Sequence, residues 1–104
     1  MNKIRHQAVR EFIHHSKQLL KDNVVDILVY GSVARGTEKP NSDIDVIVVV
    51  KRQVFRTQMR LAALAFDILL ETGEYISVQT MKSADLKRDT LFLYNVRREA
   101  IHAL

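Results

Sequence analysis

The sequence predicts a small α+β protein in which a mixed three-stranded sheet is covered by helices. Three observations lead there. Two runs rich in β-branched residues, Val24 to Tyr30 and Val46 to Val50, flank a segment containing two of the three glycines and the only proline. Long segments on either side carry apolar residues at helical spacing. A further run, Tyr75 to Thr80, alternates apolar and polar residues as a half-buried strand does. At 104 residues the chain is long enough for one core and too short for a second, so residues 1–104 are expected to form a single domain.

The first helix is expected from Lys3 to Leu20, with Ile4, Ala8, Val9, Phe12, Ile13, Leu19 and Leu20 on one face. His6, His14 and His15 lie on it. The last two are adjacent and cannot face one ligand as an i, i+4 pair would, so they read as solvated side chains. Asp22 and Asn23 break the pattern before the first strand. Ser32-Val33-Ala34-Arg35 is expected to form a helical turn capped by Ser32 and ended by Gly36, leaving backbone amides free to meet an anion. Pro40-Asn41-Ser42 leads into the second strand, Asp43 to Val50, which is apolar on both faces and therefore expected to be central and buried. The second helix is expected over Arg52 to Glu71, with Gly73 just past its end. Phe55, Met59, Ala62, Ala63, Phe66, Leu69 and Leu70 are expected to form its core-facing side. After the third strand, Ser83 is placed as the cap of a last helix running from Ala84 to about Ala103.

Composition narrows the functions. There is no cysteine, which excludes disulfides, thiolate zinc sites and a cysteine nucleophile. No apolar run approaches the length of a membrane span, and Met1 to His6 lacks a signal-peptide core, so a soluble, cytoplasmic protein is expected. The formal charge of +4 suits anionic partners. Nucleic acid is not the expected one, because such an excess is ordinarily a solvated surface; a nucleic-acid reading would rest on Arg52, Arg56, Arg60, Lys87, Arg88, Arg97 and Arg98.

The chemistry concentrates between Tyr30 and Val46. Gly31-Ser32 follows a strand directly, ten residues separate Ser32 from Asp43, and Asp43 and Asp45 open the next strand. Strand residues two apart share a face, with α-carbons roughly 6.5 Å apart. Two carboxylates that close repel one another unless a proton or cation lies between them, and a divalent metal is the simplest remedy. The pattern thus sets an anion-binding turn beside a metal-binding pair.

Gly31-Ser32, the ten-residue spacer and Asp43-Ile44-Asp45 resemble the motif of the polymerase-β-like nucleotidyltransferase superfamily, and the flanking Val33-Ala34-Arg35-Gly36 and Ser42 are similar to its minimal prokaryotic members. The resemblance covers nearly the whole chain. It implies a polymerase-β-like nucleotidyltransferase fold and transfer of a nucleotidyl group, usually AMP from ATP with Mg²⁺, to an acceptor hydroxyl. Gly31, Ser32 and Ser42 would contact the triphosphate, and Asp43 and Asp45 would be the catalytic metal ligands. It also implies a helical HEPN-family partner, toward which such proteins act as adenylylating antitoxins. With no second substrate domain expected, the acceptor is to be supported by that partner or by a homo-oligomer. One departure stands out. The superfamily's third carboxylate belongs on the strand after the second helix, where this chain has Ser77 or Gln79, while Glu71 and Glu74 read as solvated loop acids. The alternative is thus a weakened nucleotide-binding module that neutralises a partner by complex formation.

Overall fold

The computed structural model describes residues 7–37 and 43–104. Its elements are α1 (Gln7–Leu20), β1 (Val24–Tyr30), α2 (Ser32–Arg35), β2 (Ile44–Val50), α3 (Val54–Thr72), β3 (Ile76–Met81), α4 (Ser83–Leu86), α5 (Leu91–Glu99) and β4 (Ile101–His102), with a 3₁₀ turn at Lys21–Asn23 between α1 and β1. The first turn expected from Lys3, with His6, and the expected lead-in Pro40-Asn41-Ser42 lie outside the described residues.

The strands form one mixed sheet in the order β3-β2-β1-β4. β1 pairs antiparallel with β2 and with β4, and β2 pairs parallel with β3. A parallel pair needs a crossover, and α3 supplies it. Asn23 ties the far end of the β1–β2 pair: its Nδ2 donates to the Arg52 carbonyl and the Arg52 amide donates back to its Oδ1, both at 3.1 Å. β2 is central and buried along nearly its whole length, as its two apolar faces require.

The two faces of the sheet build two cores. Ile27, Val29, Ile44, Val46, Val48 and Ile76 pack against Val9 and Phe12 of α1 and Leu61, Ala65 and Ile68 of α3. On the other face, Leu28, Tyr30, Ile47 and Val49 pack against Val96 of α5, with Met81 and Leu86 at the margin. Among the described residues no helix is long and apolar enough to cross a membrane.

Besides the cap of the expected last helix, which is Lys82 with Ser83 the first helical residue, the structure corrects the expected sheet and helices at three points. Among the described residues the sheet has four strands, because the expected last helix is interrupted. Thr90 Oγ1 accepts from the Leu93 amide at 3.1 Å and so starts a separate helix, α5. The chain then turns outward at Ala100 and lays Ile101–His102 along the edge of β1, where the Ala103 amide donates to the Ile27 carbonyl at 2.8 Å. His102 Nδ1 lies 2.6 Å from Asp26 Oδ2 and pins this short strand. The third correction concerns α3, whose buried residues are Thr57, Leu61, Ala65 and Ile68. Phe55, Met59, Phe66 and Leu70, expected in the core, are exposed, and so are Ala62 and Ala63. The helix has more apolar residues than its inward arc can hold, and Leu61, Ala65 and Ile68 take that arc, packed in one core with Val9 and Phe12 of α1 and the residues of β2.

Burial ranks the packing. Leu61 is fully buried, whereas Leu91 at the start of α5 is 75% exposed. Leu61→Ala should cost about 2–5 kcal/mol in urea unfolding. Leu91→Ala should stay within about 0.5 kcal/mol of the parent.

Candidate active site

β1 ends at Tyr30, and the chain turns through Gly31 at φ 74° and ψ −150°, a conformation essentially reserved for glycine. One helical turn, α2, follows. Arg35 N–H donates to the Gly31 carbonyl at 3.1 Å and Thr37 N–H to the Ser32 carbonyl at 2.9 Å. Gly36 closes the turn in the left-handed region, as expected from its place in the sequence. Ser32 is the first helical residue, not the cap; the cap position is Gly31, and the turn has no side-chain cap. The first amides of α2 therefore lack intrahelical acceptors, and the Ser32 hydroxyl has no hydrogen-bond partner among the described residues.

Asp45 sits opposite Tyr30 in the β1–β2 ladder, which brings its carboxylate directly under this turn. A β-carbon at Gly31 would stand 3.3 Å from the Asp45 carboxyl carbon and closer still to one of its oxygens. Gly31 is thus required twice, for its backbone angles and for the room it leaves Asp45. Asp43 precedes β2, exposed, on the same face of the strand as Asp45. Ser42 lies outside the described residues.

The charge balance at Asp45 is unfavourable. Partial burial raises its pKa, the neighbouring Asp43 carboxylate raises it further, and the Arg35 guanidinium opposes both. Tyr30 is pushed up to about 12, first by burial and then by the negative charge of Asp45, with the hydrogen bond from Gln79 acting in the other direction. Its phenol is therefore neutral at physiological pH. Gln79 Nε2 donates to the Tyr30 oxygen at 3.3 Å, and the Tyr30 ring meets Phe92 of α5 edge to face.

Register decides which residue stands where a third carboxylate was expected. Asp45 pairs with Ser77 in the parallel β2–β3 ladder, and Gln79 pairs with Ile47 one step further in. Ser77 is the residue beside Asp45. Among the described residues no three His, Asp or Glu side chains converge. The donor set suits a magnesium ion that takes one or two carboxylates from protein and the rest from phosphate and water. A partly desolvated carboxylate with a second one beside it is the feature that such a cation relieves.

Beside the turn opens a cleft of about 220 Å³, lined by Tyr30, Gly31, Arg35, Phe92, Asn95, Val96 and Glu99. Arg35 Nη1 meets Glu99 Oε1 at 3.2 Å across it, and Arg98 Nη2 reaches the other Glu99 oxygen at 3.4 Å. The sequence reading missed this wall, because it kept α5 within one long helix. The cap residue Thr90 was the available signal.

Fold and site together define a class: a small α+β protein whose sheet joins an amide-presenting glycine turn to a carboxylate pair. Residues 9–100 match the family described as nucleotidyltransferase domain, and the chain belongs to that family. It is 36% identical over 69 residues to a candidate protein adenylyltransferase of Methanocaldococcus jannaschii, covering 66% of this chain and 46% of that protein, so it spans about half the length of this relative. Its fold is shared with a solved minimal nucleotidyltransferase candidate at TM-score 0.62 and 24% identity, covering 91% of this chain and 92% of the other. It is shared also with a toxin–antitoxin crystallised with AMP-PNP, at TM-score 0.62 and 18% identity over 88% of this chain and 69% of the other. A candidate nucleotidyltransferase of Sulfolobus solfataricus matches at TM-score 0.58 and 17% identity, over 92% and 76%.

The site makes two stability predictions. Gly31→Ala should destabilise by at least about 1–3 kcal/mol in urea unfolding. Gly36→Ala, where a β-carbon meets none of the described residues within 4 Å, should cost only about 1–2 kcal/mol for its left-handed backbone. Asp45 gives a pH signature. Its folded pKa lies above the ordinary 3.8, so the folded chain holds this proton more tightly than the unfolded chain does. Its contribution to stability is accordingly lost as pH rises from below 3.8 through the raised value. Asp45→Asn should melt a few degrees above the parent at neutral pH, and thermal melts should show that gap closing below 3.8.

Proposed function

We propose that this protein is an Mg²⁺-dependent nucleotidyltransferase that moves AMP from ATP to a hydroxyl on a partner protein. The reading rests first on one observation, the Asp45 carboxylate held beneath the Gly31 turn with its charge only partly compensated. In this reading the α2 amides and the Ser32 hydroxyl grip the phosphates, with Ser42 adding a contact, and Asp43 and Asp45 hold Mg²⁺. The bound ion supplies charge neutralisation at the α-phosphate and at the departing pyrophosphate. Tyr30, neutral and held by Gln79 and Phe92, lines the cleft beside the turn. The acceptor oxygen attacks the α-phosphorus, the bond to the β-phosphate oxygen breaks, and the hydroxyl proton passes to solvent, since Ser77 offers no carboxylate to take it. The partner is a helical protein of the HEPN type, the chain acts as antitoxin to it, and both work in the cytoplasm. The family membership and the AMP-PNP-bearing toxin–antitoxin neighbour support this reading.

A second reading is favoured by Ser77 beside Asp45: a nucleotide-binding module of little catalytic power that neutralises its partner by complex formation. Incubation with α-labelled ATP, Mg²⁺ and the co-encoded helical partner separates the two. The transferase reading predicts a labelled partner, with label lost at least about a hundredfold in Asp43→Asn. Equal labelling by parent and variant would falsify it. Absence of label from both, with neutralisation retained in Asp43→Asn and Asp45→Asn, would establish the binding module.

A further inference from the structure

The outward side of α3 carries a pattern that neither the cores nor the candidate site uses. Phe55, Met59, Ala62, Ala63, Phe66 and Leu70 are exposed, with Phe55 at 79% and Leu70 at 69%. At 3.6 residues per turn these six fall within an arc of about 100°, nearly opposite the buried row of Thr57, Leu61, Ala65 and Ile68. A continuous apolar stripe of that length on the solvent side of a helix marks a docking face.

Two features identify the occupant. The stripe is symmetrical about the Ala62–Ala63 bond: Phe55 mirrors Leu70, Met59 mirrors Phe66, and the two alanines mirror one another. A second α3 laid antiparallel on a two-fold axis at that bond would therefore set large side chains against large ones, with the small pair at the crossing where the helices come closest. The charges follow the same symmetry. One flank of the stripe bears Arg56 and Arg60 in its first half and Asp67 and Glu71 in its second, all exposed. Within a single helix this arrangement is unfavourable, since each like pair stands at i, i+4 and both pairs oppose the helix dipole, with cations toward the N-terminus and anions toward the C-terminus. In an antiparallel pair the same flank meets itself, which sets Arg56 and Arg60 beside Asp67 and Glu71 of the second copy, and the converse.

We propose that α3 is a self-association face, and that two copies of this chain pair through it, antiparallel, about the Ala62–Ala63 midpoint. Asp43, Asp45 and Ser77 lie on the opposite side of the sheet from α3, so both candidate sites stay open in the pair. This surface is independent of the nucleotidyl-transfer reading.

Sedimentation equilibrium or light scattering tests it. The parent should show twice its 12.0 kDa mass. Ala62→Glu should be monomeric with an unchanged far-UV circular dichroism spectrum. Arg56→Glu/Arg60→Glu and Asp67→Arg/Glu71→Arg should each weaken dimerisation by at least about tenfold. An equimolar mixture of these two double variants should restore the dimer, because every facing pair is then opposite in charge. A monomeric parent, a dimer indifferent to Ala62→Glu, or a mixture that stays monomeric would each overturn the proposal, as would a monomeric parent that uses this face to bind an unrelated helical protein.

Discussion

The contact between the Asp45 carboxylate and the backbone of Gly31 is the constraint on which the rest depends. β1 must end, and turn, at the one point where β2 presents an acid to it, and the turn can follow that path only with glycine. The same approach takes Asp45 partly out of water beside Asp43, so its charge is costly in the free protein. The amides of α2 and the two carboxylates are opposite in electrostatic character and sit at adjoining strand ends. A metal-bound polyphosphate would be complementary to both at once, and the proposed function rests on that pairing.

The surrounding fold serves this contact. β2 lies between β1 and β3, buried on both faces, so Asp45 is positioned by a strand that has little freedom to shift. α1 and α3 take one face of the sheet, which leaves the other to α5 and the cleft beside the turn. β4 holds the end of α5 against β1 through its ladder and the Asp26–His102 contact, and Glu99 of α5 in turn engages Arg35 of α2. The last residues of the chain thereby brace the turn from the side. The sheet also separates the candidate site from the outward face of α3, since Tyr30 and Ile47 pack on one side and α1 and α3 on the other.

Much of this was legible in the residues. Gly31-Ser32 after a strand and Asp43-Ile44-Asp45 before another mark the turn and the acids, and the apolar character of Val46 to Val50 marks a central strand. What could not be read depended on tertiary pairing. Leu61 to Phe66 is apolar at every position, so helical spacing alone does not say which arc faces inward, and the arc of Phe55, Met59, Phe66 and Leu70 was the wrong choice. The edge strand Ile101–His102 has too few residues to carry a period and exists because β1 offers it an edge. The choice between Ser77 and Gln79 was one of register, which a strand's own sequence does not reveal when both lie on the same polar side.

The central claim is that the glycine turn and the paired acids form one nucleotide-metal site, and paramagnetic broadening tests it most directly. With substoichiometric Mn²⁺ and a non-hydrolysable ATP analogue added to ¹⁵N-labelled protein, the account predicts that amide signals from residues 31–35, from 43–45 and from Ser77 are lost first, with Ala62, Ala63 and Phe66 on the far side of the sheet among the least broadened. Broadening centred elsewhere, or the same pattern persisting in Asp43→Asn/Asp45→Asn, would contradict it.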